Sequence, residues 1–301
     1  MISVLIPSYN VEKYIDEALV SILNQSYHEL EVVIVDDCST DRTYEICQKY
    51  ARNDKRIKLF RNKENKGIAR TLNFALSQAS GEYVVRMDAD DISVENRIER
   101  MHQFLLDNSH VDIVGSATIT INEEGKELGI YTPLEYHADL IKTVNFSSPL
   151  LHIWMCKKSV YERVGTYRFP PVEDYDFMLR CINSGIIIHN LMEPLYKVRI
   201  RNGNTADSYG FRQLKAFESA SKAYRENKLH ELIIDLQPSP CSEWLYQISR
   251  NIYFSGVASI RSGGRVIGLL MLMLSALVSP YQLRYMYRRL RFQLYKWRKS
   301  H

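Results

Sequence analysis

The sequence lacks the features that mark disulfide-stabilised, zinc-binding and membrane-spanning proteins. Its five cysteines are scattered and form no Cys-x-x-Cys pair, which excludes a zinc knuckle or disulfide scaffold and favours a reducing compartment. The nearly continuous apolar run at 266–278 is shorter than the about 20 residues that span a bilayer. No basic segment precedes the apolar run that begins at Ile2, so we expect no signal peptide. The net charge of +4 is too small to indicate nucleic-acid binding.

Strand-like and helix-like segments alternate over the first 117 residues. Short β-prone apolar runs are followed by segments whose apolar residues recur with a helical period. The predicted strands are 2–6, 31–35, 57–60, 83–87 and 112–117. The predicted helices are 11–24, one capped by Asp41, 68–78 and 94–106. This alternation indicates an α/β fold, a doubly wound, mostly parallel sheet with helices on both faces.

The alternation stops after residue 117. A hairpin is predicted over 119–131, followed by a strand at 195–200. The predicted helices of this part are 137–144, 158–164, 177–184 and 208–226. Pro170-Pro171 predicts an extended loop before the acidic segment 172–176.

Two acidic clusters follow two of the predicted strands. Asp88, Asp90 and Asp91 come directly after the strand at 83–87, and Asp36-Asp37 end the strand at 31–35. Carboxyl ends of parallel strands meet at one edge of a sheet, where ligands bind. Carboxylate oxygens suit Mn²⁺ or Mg²⁺, which keep positions open for phosphates. The alternative is that Asp91 or Ser93 caps the helix that begins at Val94 and that the other acids are solvated.

The C-terminal part combines an apolar segment with a basic one. After the run 266–278, seven bases between 284 and 299 alternate with aromatic and aliphatic residues, and no acid lies among them. Bases and aromatics mixed in this way on a helix suit an anionic lipid surface. We therefore predict a helical, membrane-associating segment; the alternative is a helix pair packed on the domain.

An ordered set of motifs resembles the family 2 glycosyltransferases of the GT-A fold. The resemblance extends from residue 2 to about 205 and does not cover the C-terminal third. It rests on the opening strand 3–10, the nucleotide-binding turn 34–41, the loop and helix 65–73, the Asp-x-Asp segment 87–91 and the acidic motif 173–176. No Gln-x-x-Arg-Trp motif is present, so the resemblance is to members that add a single sugar rather than to those that polymerise.

The resemblance implies roles for residues on the donor side. Pro7 and Asp37 would contact the base, with Asp37 accepting from a ring N–H such as uracil offers. Asp88 and Asp90 would hold ribose and metal, and Asp91 would share either task. Gly67 would let the backbone approach the donor. The remaining predicted donor contacts are Tyr9, Arg70, Ala89 and Arg201, of which Arg201 stands where the family often carries a histidine near the pyrophosphate.

The resemblance also implies a catalytic and an acceptor side. Asp174 is the predicted general base, which takes the proton of the acceptor hydroxyl as it attacks the anomeric carbon. Glu173 and Asp176 are rivals for this role, and the alternative is that all three favour the positive end of a helix. His152, Trp154 and Glu173 are predicted to bind the acceptor, with core packing as the alternative for His152 and Trp154.

These inferences predict an inverting, metal-dependent glycosyltransferase that moves one sugar from a nucleotide-diphosphate donor, a UDP-sugar, to a glycan acceptor. The acceptor is predicted to be lipid-linked and the enzyme to work at the cytoplasmic face of the membrane, in cell-surface polysaccharide synthesis. Residues 1–205 form the predicted transferase domain, with a donor half (1–117) and an acceptor half (118–205); residues 206–301 form a helical region. The alternatives are a non-catalytic membrane assembly protein with a relic fold and a nucleotidyltransferase. The latter is disfavoured because no glycine-rich loop follows the first strand.

Overall fold

The computed structural model describes residues 1–201, 205–234 and 239–300. The chain divides into two compact units, one with residues 1–142 and 148–202 and the other with residues 143–147 and 203–301. The predicted boundary after residue 205 adjoins residues 202–204, which lie outside the described residues. The functions predicted for the two halves of the transferase domain stay predictions.

The described residues contain nine strands, eleven α-helices and a 3-10 turn at Leu229–Glu231. The strands are β1 (Ile2–Ser8), β2 (Leu30–Asp36), β3 (Ile57–Arg61), β4 (Tyr83–Arg86), β5 (Ile92–Ser93), β6 (Ile113–Ile121), β7 (Glu127–Tyr131), β8 (Met155–Lys157) and β9 (Ile188–Arg199). The helices are α1 (Ile15–Leu23), α2 (Thr43–Asn53), α3 (Ile68–Gln78), α4 (Arg97–Asp107), α5 (His137–Thr143), α6 (Ser159–Val164), α7 (Glu173–Asn183), α8 (Thr205–Arg225), α9 (Pro240–Arg261), α10 (Arg265–Val278) and α11 (Pro280–Ser300).

The strands form a single mixed sheet in the order β3-β2-β1-β4-β8-β6-β9-β5, with β7 paired to β6. The pairs β2–β3, β1–β2, β1–β4 and β6–β9 are parallel, whereas β8, β5 and β7 pair with their neighbours in antiparallel fashion. Every residue of β1, β2 and β4 is buried, as expected of central parallel strands covered by helices. The predicted α/β class with a mostly parallel sheet is confirmed.

Two elements begin earlier than predicted. β9 starts at Ile188 rather than 195, and the register with β6 shifts near Pro194. A proline inside a strand is usually found at such irregularities, so the sequence pattern hid this strand. α7 starts at Glu173 rather than 177, which places the acidic motif in the first turn of the helix and not in the preceding loop. Carboxylates in that turn interact favourably with the unpaired N–H groups of the helix.

The second unit contains the helices α8 to α11. α9 and α10 approach closely at Gly256 and Gly268, because a Cβ added to Gly268 would lie 2.6 Å from the carbonyl oxygen of Gly256. A side chain at either position would push the two backbones apart. A small core in this unit contains Phe211, Leu214 and Tyr246, packed against Tyr281 and Tyr285. Among the described helices, none has both the length and the apolar character that crossing a bilayer requires.

Candidate active site

The strand register brings the two acidic clusters to one edge of the sheet. In the parallel pair of β1 and β2, Ser8 lies beside Asp36, and Leu5 of β1 lies beside Arg86, the last residue of β4. The segments that follow β2 and β4 therefore leave the sheet on the same side of β1. This edge carries the side chains described below.

His152 reaches the same edge through the antiparallel strand β8. Val85 pairs with Met155, so continuing the register past the end of β4 sets Asp88 opposite His152. The Nε2 atom of His152 lies 2.9 Å from Oδ2 of Asp88, although it is not aligned for a hydrogen bond. Burial would lower the pKa of His152, but the charge of Asp88 raises it above its usual value.

Arg86 joins the two acidic motifs. Its Nε donates to Oδ1 of Asp88 at 3.2 Å, and its Nη1 lies 3.7 Å from Oε1 of Glu173, a residue far away in the chain. Burial would lower the pKa of this 4% exposed arginine, but Asp88 and Glu173 raise it. Burial by itself would raise the pKa of Asp88. The positive charges of Arg86 and His152 instead hold this pKa well below its usual range. Arg86 and Asp88 are therefore both charged.

The other two acids of the segment are held by the end of β9. The backbone N–H of Arg199 donates to Oδ1 of Asp91 at 2.8 Å, and its Nε donates to the carbonyl oxygen of Asp90 at 2.9 Å. Arg201 forms an ion pair with Asp90, with 2.6 Å between Nε and Oδ2. The antiparallel pairing of Ser93 with Tyr196 explains this meeting, because the two chains run past each other in register. The predicted donor residue Arg201 therefore lies beside the acids.

Asp88, Asp91 and His152 form a group that fits a metal ion. Each offers one ligand atom, and these atoms all lie within 4.8 Å of one another. Burial, together with the charges of Asp90 and Asp88, raises the pKa of Asp91 well above its usual value, as expected where carboxylates lie close together. Two carboxylates and an imidazole suit Mn²⁺, which accepts oxygen and nitrogen ligands. Asp90 is not a member of this group, and its carboxylate is paired with Arg201.

Asp37 organises the loop that precedes α3. One of its carboxylate oxygens accepts from the Asn62 side chain at 2.7 Å and from the N–H of Lys66 at 2.8 Å, and the other accepts from the N–H of Gly67 at 2.8 Å. Gly67 has a φ of 79°, and a Cβ there would meet nothing within 4 Å. The backbone conformation, rather than lack of space, therefore requires glycine. A contact of Asp37 with a nucleotide base stays a prediction, and its oxygens already accept three hydrogen bonds.

The other predicted donor residues border the same edge. Pro7 is buried within β1, and Tyr9 is 44% exposed in the loop that follows. Arg70 is exposed in the first turn of α3 and forms no ion pair within the described part of the chain. The side chain of Ala89 is only 3% exposed and belongs to the hydrophobic core. The predicted contact of Ala89 with the donor stays a prediction, and its buried side chain leaves the backbone as the group that could make it.

The acidic motif at the start of α7 separates into three different environments. Asp176 is fully buried and is paired with Arg168 and Arg180, at 2.7 and 3.0 Å. This pairing removes Asp176 as a rival for the general base. Glu173 is 7% exposed, and burial together with the charge of Asp174 raises its pKa to about 7.

Asp174 is the most accessible acid of the motif. It is intermediate in exposure, whereas Glu173 and Asp176 are buried. Its Oδ1 accepts from the N–H of Tyr175 at 2.7 Å, and its charge acts on both Arg86 and His152. Among the three acids it alone combines access to solvent with a place beside the Asp88 cluster. Its role as the base stays a prediction.

Trp154 does not bind a sugar in this structure. The indole has no exposed surface and stacks on Phe177 with 5.6 Å between ring centroids and 12° between ring planes. Its Nε1 donates to the hydroxyl of Tyr161 at 3.3 Å. The acceptor contact predicted for Trp154 is therefore wrong, because the ring is buried and stacks on both Phe177 and Tyr167. Of the predicted acceptor residues, His152 and Glu173 lie beside the acidic cluster.

Two buried residues that support the acidic segment, Arg97 and Tyr196, were not predicted from the sequence. Arg97 is fully buried, donates to the carbonyl oxygens of Arg86 and Ile153, and lies over the ring of Tyr196 at 4.4 Å. The Tyr196 hydroxyl accepts from the N–H of Asp88 at 3.0 Å. Burial lowers the pKa of Arg97 to about 10. The sequence contained a signal for Arg86, because an arginine within the apolar strand β4 is unusual. It contained no signal for Arg97, because an arginine is an ordinary residue on a polar helix face.

Comparison with known proteins gives consistent results. The family described as "Glycosyl transferase family 2" matches residues 3–165. An uncharacterised glycosyltransferase of Haemophilus influenzae is 34% identical over 79% of this chain and 77% of its own length. The O-antigen biosynthesis glycosyltransferase WbnJ of Escherichia coli is 33% identical over 75% of this chain and 88% of its own length.

Among solved structures, S. aureus TarS in complex with UDP-GlcNAc is similar to this chain. The two superpose with a TM-score of 0.61 and 25% sequence identity, over 77% of this chain and 71% of TarS. The match covers most of both chains, as do the matches to the two relatives in sequence.

Proposed function

The chain belongs to glycosyl transferase family 2 and is a glycosyltransferase, and from this premise we propose the reaction that its site performs. The enzyme transfers one sugar from a nucleotide-diphosphate sugar to a hydroxyl of a glycan, with inversion at the anomeric carbon. The donor is a UDP-sugar and the reaction depends on Mn²⁺ or Mg²⁺. The product is a cell-surface polysaccharide.

One observation carries this proposal: Arg86 bridges the two acidic motifs. Asp88, on one side of Arg86, belongs to the segment suited to bind the donor and its metal. Glu173, on the other side, is the first residue of the helix that contains Asp174. An inverting transfer needs a carboxylate across the reacting carbon from the leaving group. A single buried arginine that touches both motifs fixes their spacing, which this reaction requires.

The donor side is supported by the chemistry of its residues. Asp88 and Asp91 with His152 would hold the metal, with Asp90 joining them when Arg201 is displaced. When bound, the metal neutralises charge on the leaving nucleoside diphosphate. Arg201 and Arg70 add guanidinium groups that can hold phosphate. UDP as the carrier is supported by the UDP-GlcNAc bound to TarS.

On the acceptor side, the chain's own residues prepare the attacking hydroxyl. Asp174 accepts the proton of that hydroxyl, and its position at the start of α7 leaves it accessible. His152 lies beside Asp88, and the charge of Asp174 acts on it. The printed function of WbnJ, O-antigen biosynthesis, supports a glycan acceptor. Such acceptors grow on lipid carriers, which requires the enzyme to work at a membrane surface.

The helix α11 offers a surface of the required kind. Five apolar side chains at helical spacing are each 44–60% exposed and follow one stripe of the helix. They are Leu283, Tyr287, Leu290, Leu294 and Trp297. Beside this stripe lie three exposed arginines, spaced seven residues apart: Arg284, Arg291 and Arg298. An apolar stripe bordered by bases is typical of a helix that lies in the headgroup region of an anionic membrane.

The helix α10 adds to this apolar surface within the same unit. Its buried residues are Gly268 and Ser275, on one face, whereas Val266, Leu270 and Leu277 on the other face are 60–83% exposed. A soluble protein rarely exposes so many aliphatic side chains on two adjacent helices. We therefore place the cytoplasmic face of the membrane against this unit.

The donor proposal is tested by a thermal-shift panel with UDP, GDP, CDP, dTDP and ADP, each with and without Mn²⁺. A ligand that binds only the folded protein stabilises it by about 2.7 kcal/mol at a hundredfold excess over its dissociation constant. We expect stabilisation by UDP that grows with Mn²⁺ and is lost in Asp88→Asn. The control Glu162→Gln changes an exposed acid on α6 and should respond as the unaltered protein does. A folded protein that responds to no nucleotide contradicts the proposal.

The membrane proposal is tested by vesicle flotation with phosphatidylglycerol or phosphatidylcholine vesicles. We expect flotation with the anionic vesicles only, weakened by salt, since each base near such a surface contributes about 1 kcal/mol. The double variant Leu290→Glu, Leu294→Glu should lose flotation. Its matched control, Leu128→Glu with Ile130→Glu, changes two equally exposed aliphatic residues of β7 and should keep it. A protein that floats with neither vesicle contradicts the proposal.

A further inference from the structure

Arg201 holds the carboxylate of Asp90, the middle acid of the segment that follows β4. The two atoms Nε and Oδ2 are 2.6 Å apart, and only 22% of the Arg201 side chain is exposed. The guanidinium lies over the ring of Tyr14, with 5.8 Å between its carbon and the ring centroid. It therefore covers an oxygen that a divalent cation would use, and it brings a positive charge to the same place.

The neighbouring Arg199 shows how a permanently fixed arginine is held in this site. Its side chain is 2% exposed and donates to three carbonyl oxygens and one carboxylate. These acceptors belong to Asp90, Asn122, Glu123 and Glu17. Arg201, in contrast, donates to a single carboxylate within residues 1–201. It can leave Asp90 by breaking one ion pair, whereas Arg199 would have to break four contacts.

We propose that Arg201 is an internal cation that competes with the divalent metal for Asp90 and moves to the donor diphosphate when the donor binds; the inference rests on the proposed transferase function. A guanidinium and a divalent cation repel each other, so the metal binds this segment poorly while Arg201 remains on Asp90. A diphosphate is multiply negative, and its oxygens match the planar guanidinium with two parallel hydrogen bonds. It therefore draws Arg201 away from the carboxylate.

Metal and nucleotide then bind cooperatively. Nucleotide binding frees an oxygen of Asp90 for the metal, and by thermodynamic linkage the metal strengthens nucleotide binding by the same factor. The competition holds whether the metal sits on Asp90 or on the neighbouring group of Asp88, Asp91 and His152, because the positive charge of Arg201 acts on both places. In the free enzyme Arg201 thus keeps the metal site weak until a donor arrives.

The test measures Mn²⁺ binding to the nucleotide-free protein from the electron paramagnetic resonance signal of free aqueous Mn²⁺. We expect Arg201→Gln to bind Mn²⁺ about five- to tenfold more tightly than the unaltered protein, in the range of ordinary coupling between sites. Arg201→Lys keeps the charge and should bind as weakly as the unaltered protein. The matched control is Arg100→Gln, which removes the same charge and the exposed ion pair with Glu193. It should leave Mn²⁺ affinity unchanged.

A second titration adds UDP, after subtraction of the Mn²⁺ that UDP binds without protein. The unaltered protein should gain Mn²⁺ affinity on binding UDP, and Arg201→Gln should gain less because its Asp90 is already free. Equal Mn²⁺ affinity of Arg201→Gln and the unaltered protein, without nucleotide, would overturn the inference. So would an increase of Mn²⁺ affinity in nucleotide-free Arg100→Gln as large as that in Arg201→Gln. UDP binding, measured both with and without Mn²⁺, separates the two proposals. If UDP binds and the arginine change has no effect, only this inference fails; if no nucleotide binds the folded protein, the proposed function fails as well.

Discussion

Two carboxylates of one helical turn, Asp174 and Asp176, should give opposite results when each is changed to asparagine. Asp176 is fully buried and accepts hydrogen bonds from Arg168 on both oxygens and from Arg180 on one. Asp174 is accessible and accepts one local hydrogen bond, from the N–H of Tyr175. Asp176 therefore stabilises the fold, whereas Asp174 is available for catalysis.

The magnitude for Asp176→Asn follows from the buried charges. Removing one partner of a buried ion pair costs about 3–5 kcal/mol, because the other charge is left uncompensated. Arg168 is one-third exposed, so water compensates part of this loss and we expect about 3 kcal/mol. At about 2–4 °C per kcal/mol for a unit of roughly 200 residues, the melting temperature should fall by about 6–12 °C. Transfer activity measured well below the new melting temperature should change little.

Asp174→Asn should behave in the reverse way. It keeps an oxygen that can accept the local hydrogen bond from Tyr175, and a typical hydrogen bond is worth only about 1 kcal/mol, so we expect a small change in stability. Loss of a general base lowers the rate of transfer by about a hundred- to ten-thousandfold. Binding of UDP with Mn²⁺ should persist, since the donor residues are untouched.

The assay pairs a melting curve with release of UDP from a panel of UDP-sugars in the presence of membrane lipid extract. A stable Asp174→Asn protein with unchanged turnover would refute the assignment of the base. A fully stable Asp176→Asn protein would refute the account of the paired arginines. Loss of activity with unchanged stability in Asp176→Asn would show that the wrong acid had been assigned to catalysis.

Three further results are expected. Trp154→Ala should destabilise the protein by about 3–5 kcal/mol, seen by denaturant unfolding, because it leaves a cavity beside Phe177; unchanged stability would contradict its place in the core. Gly67→Ala should cost about 1–3 kcal/mol in the same measurement, because φ is 79° there, and wild-type stability would argue against that backbone conformation. Burial and the charge of Asp174 raise the pKa of Glu173 to about 7 from the usual 4.5. Between these pH values Glu173 binds more protons in the folded protein than in the unfolded protein. Its contribution to stability therefore falls as pH rises from about 4.5 to about 7. Melting curves across pH should show this fall, and Glu173→Gln should remove it; a variant with the same pH dependence as the unaltered protein would contradict the raised pKa.

Much of the candidate site was predictable because the acids follow apolar strands. Asp88, Asp90 and Asp91 could be placed at a sheet edge from local pattern alone, since parallel strands end on the same side. The meeting of Asp88 with His152 could not be predicted in this way. It depends on the antiparallel register of β4 and β8, which a short strand of three residues does not reveal.

Residues that share a motif can also have different environments, which the sequence does not show. Asp174 and Asp176 both belong to the acidic motif, yet only the packing of Arg168 and Arg180 separates them. Trp154 was expected near the acceptor because of its place in the chain. Trp154 is instead buried against Tyr167 and Phe177, and the sequence pattern does not reveal these contacts between distant residues.

The sequence by itself determined the α/β class, the order of most strands and helices, and the family, because these depend on local periodicity and on motifs a few residues long. The tertiary structure decided which charges compensate each other. Arg86 joins Asp88 to Glu173, and Arg201 holds Asp90. Glu173 is distant in the chain from Arg86, and Arg201 from Asp90. Only the packing of elements from different parts of the sequence brings these partners together.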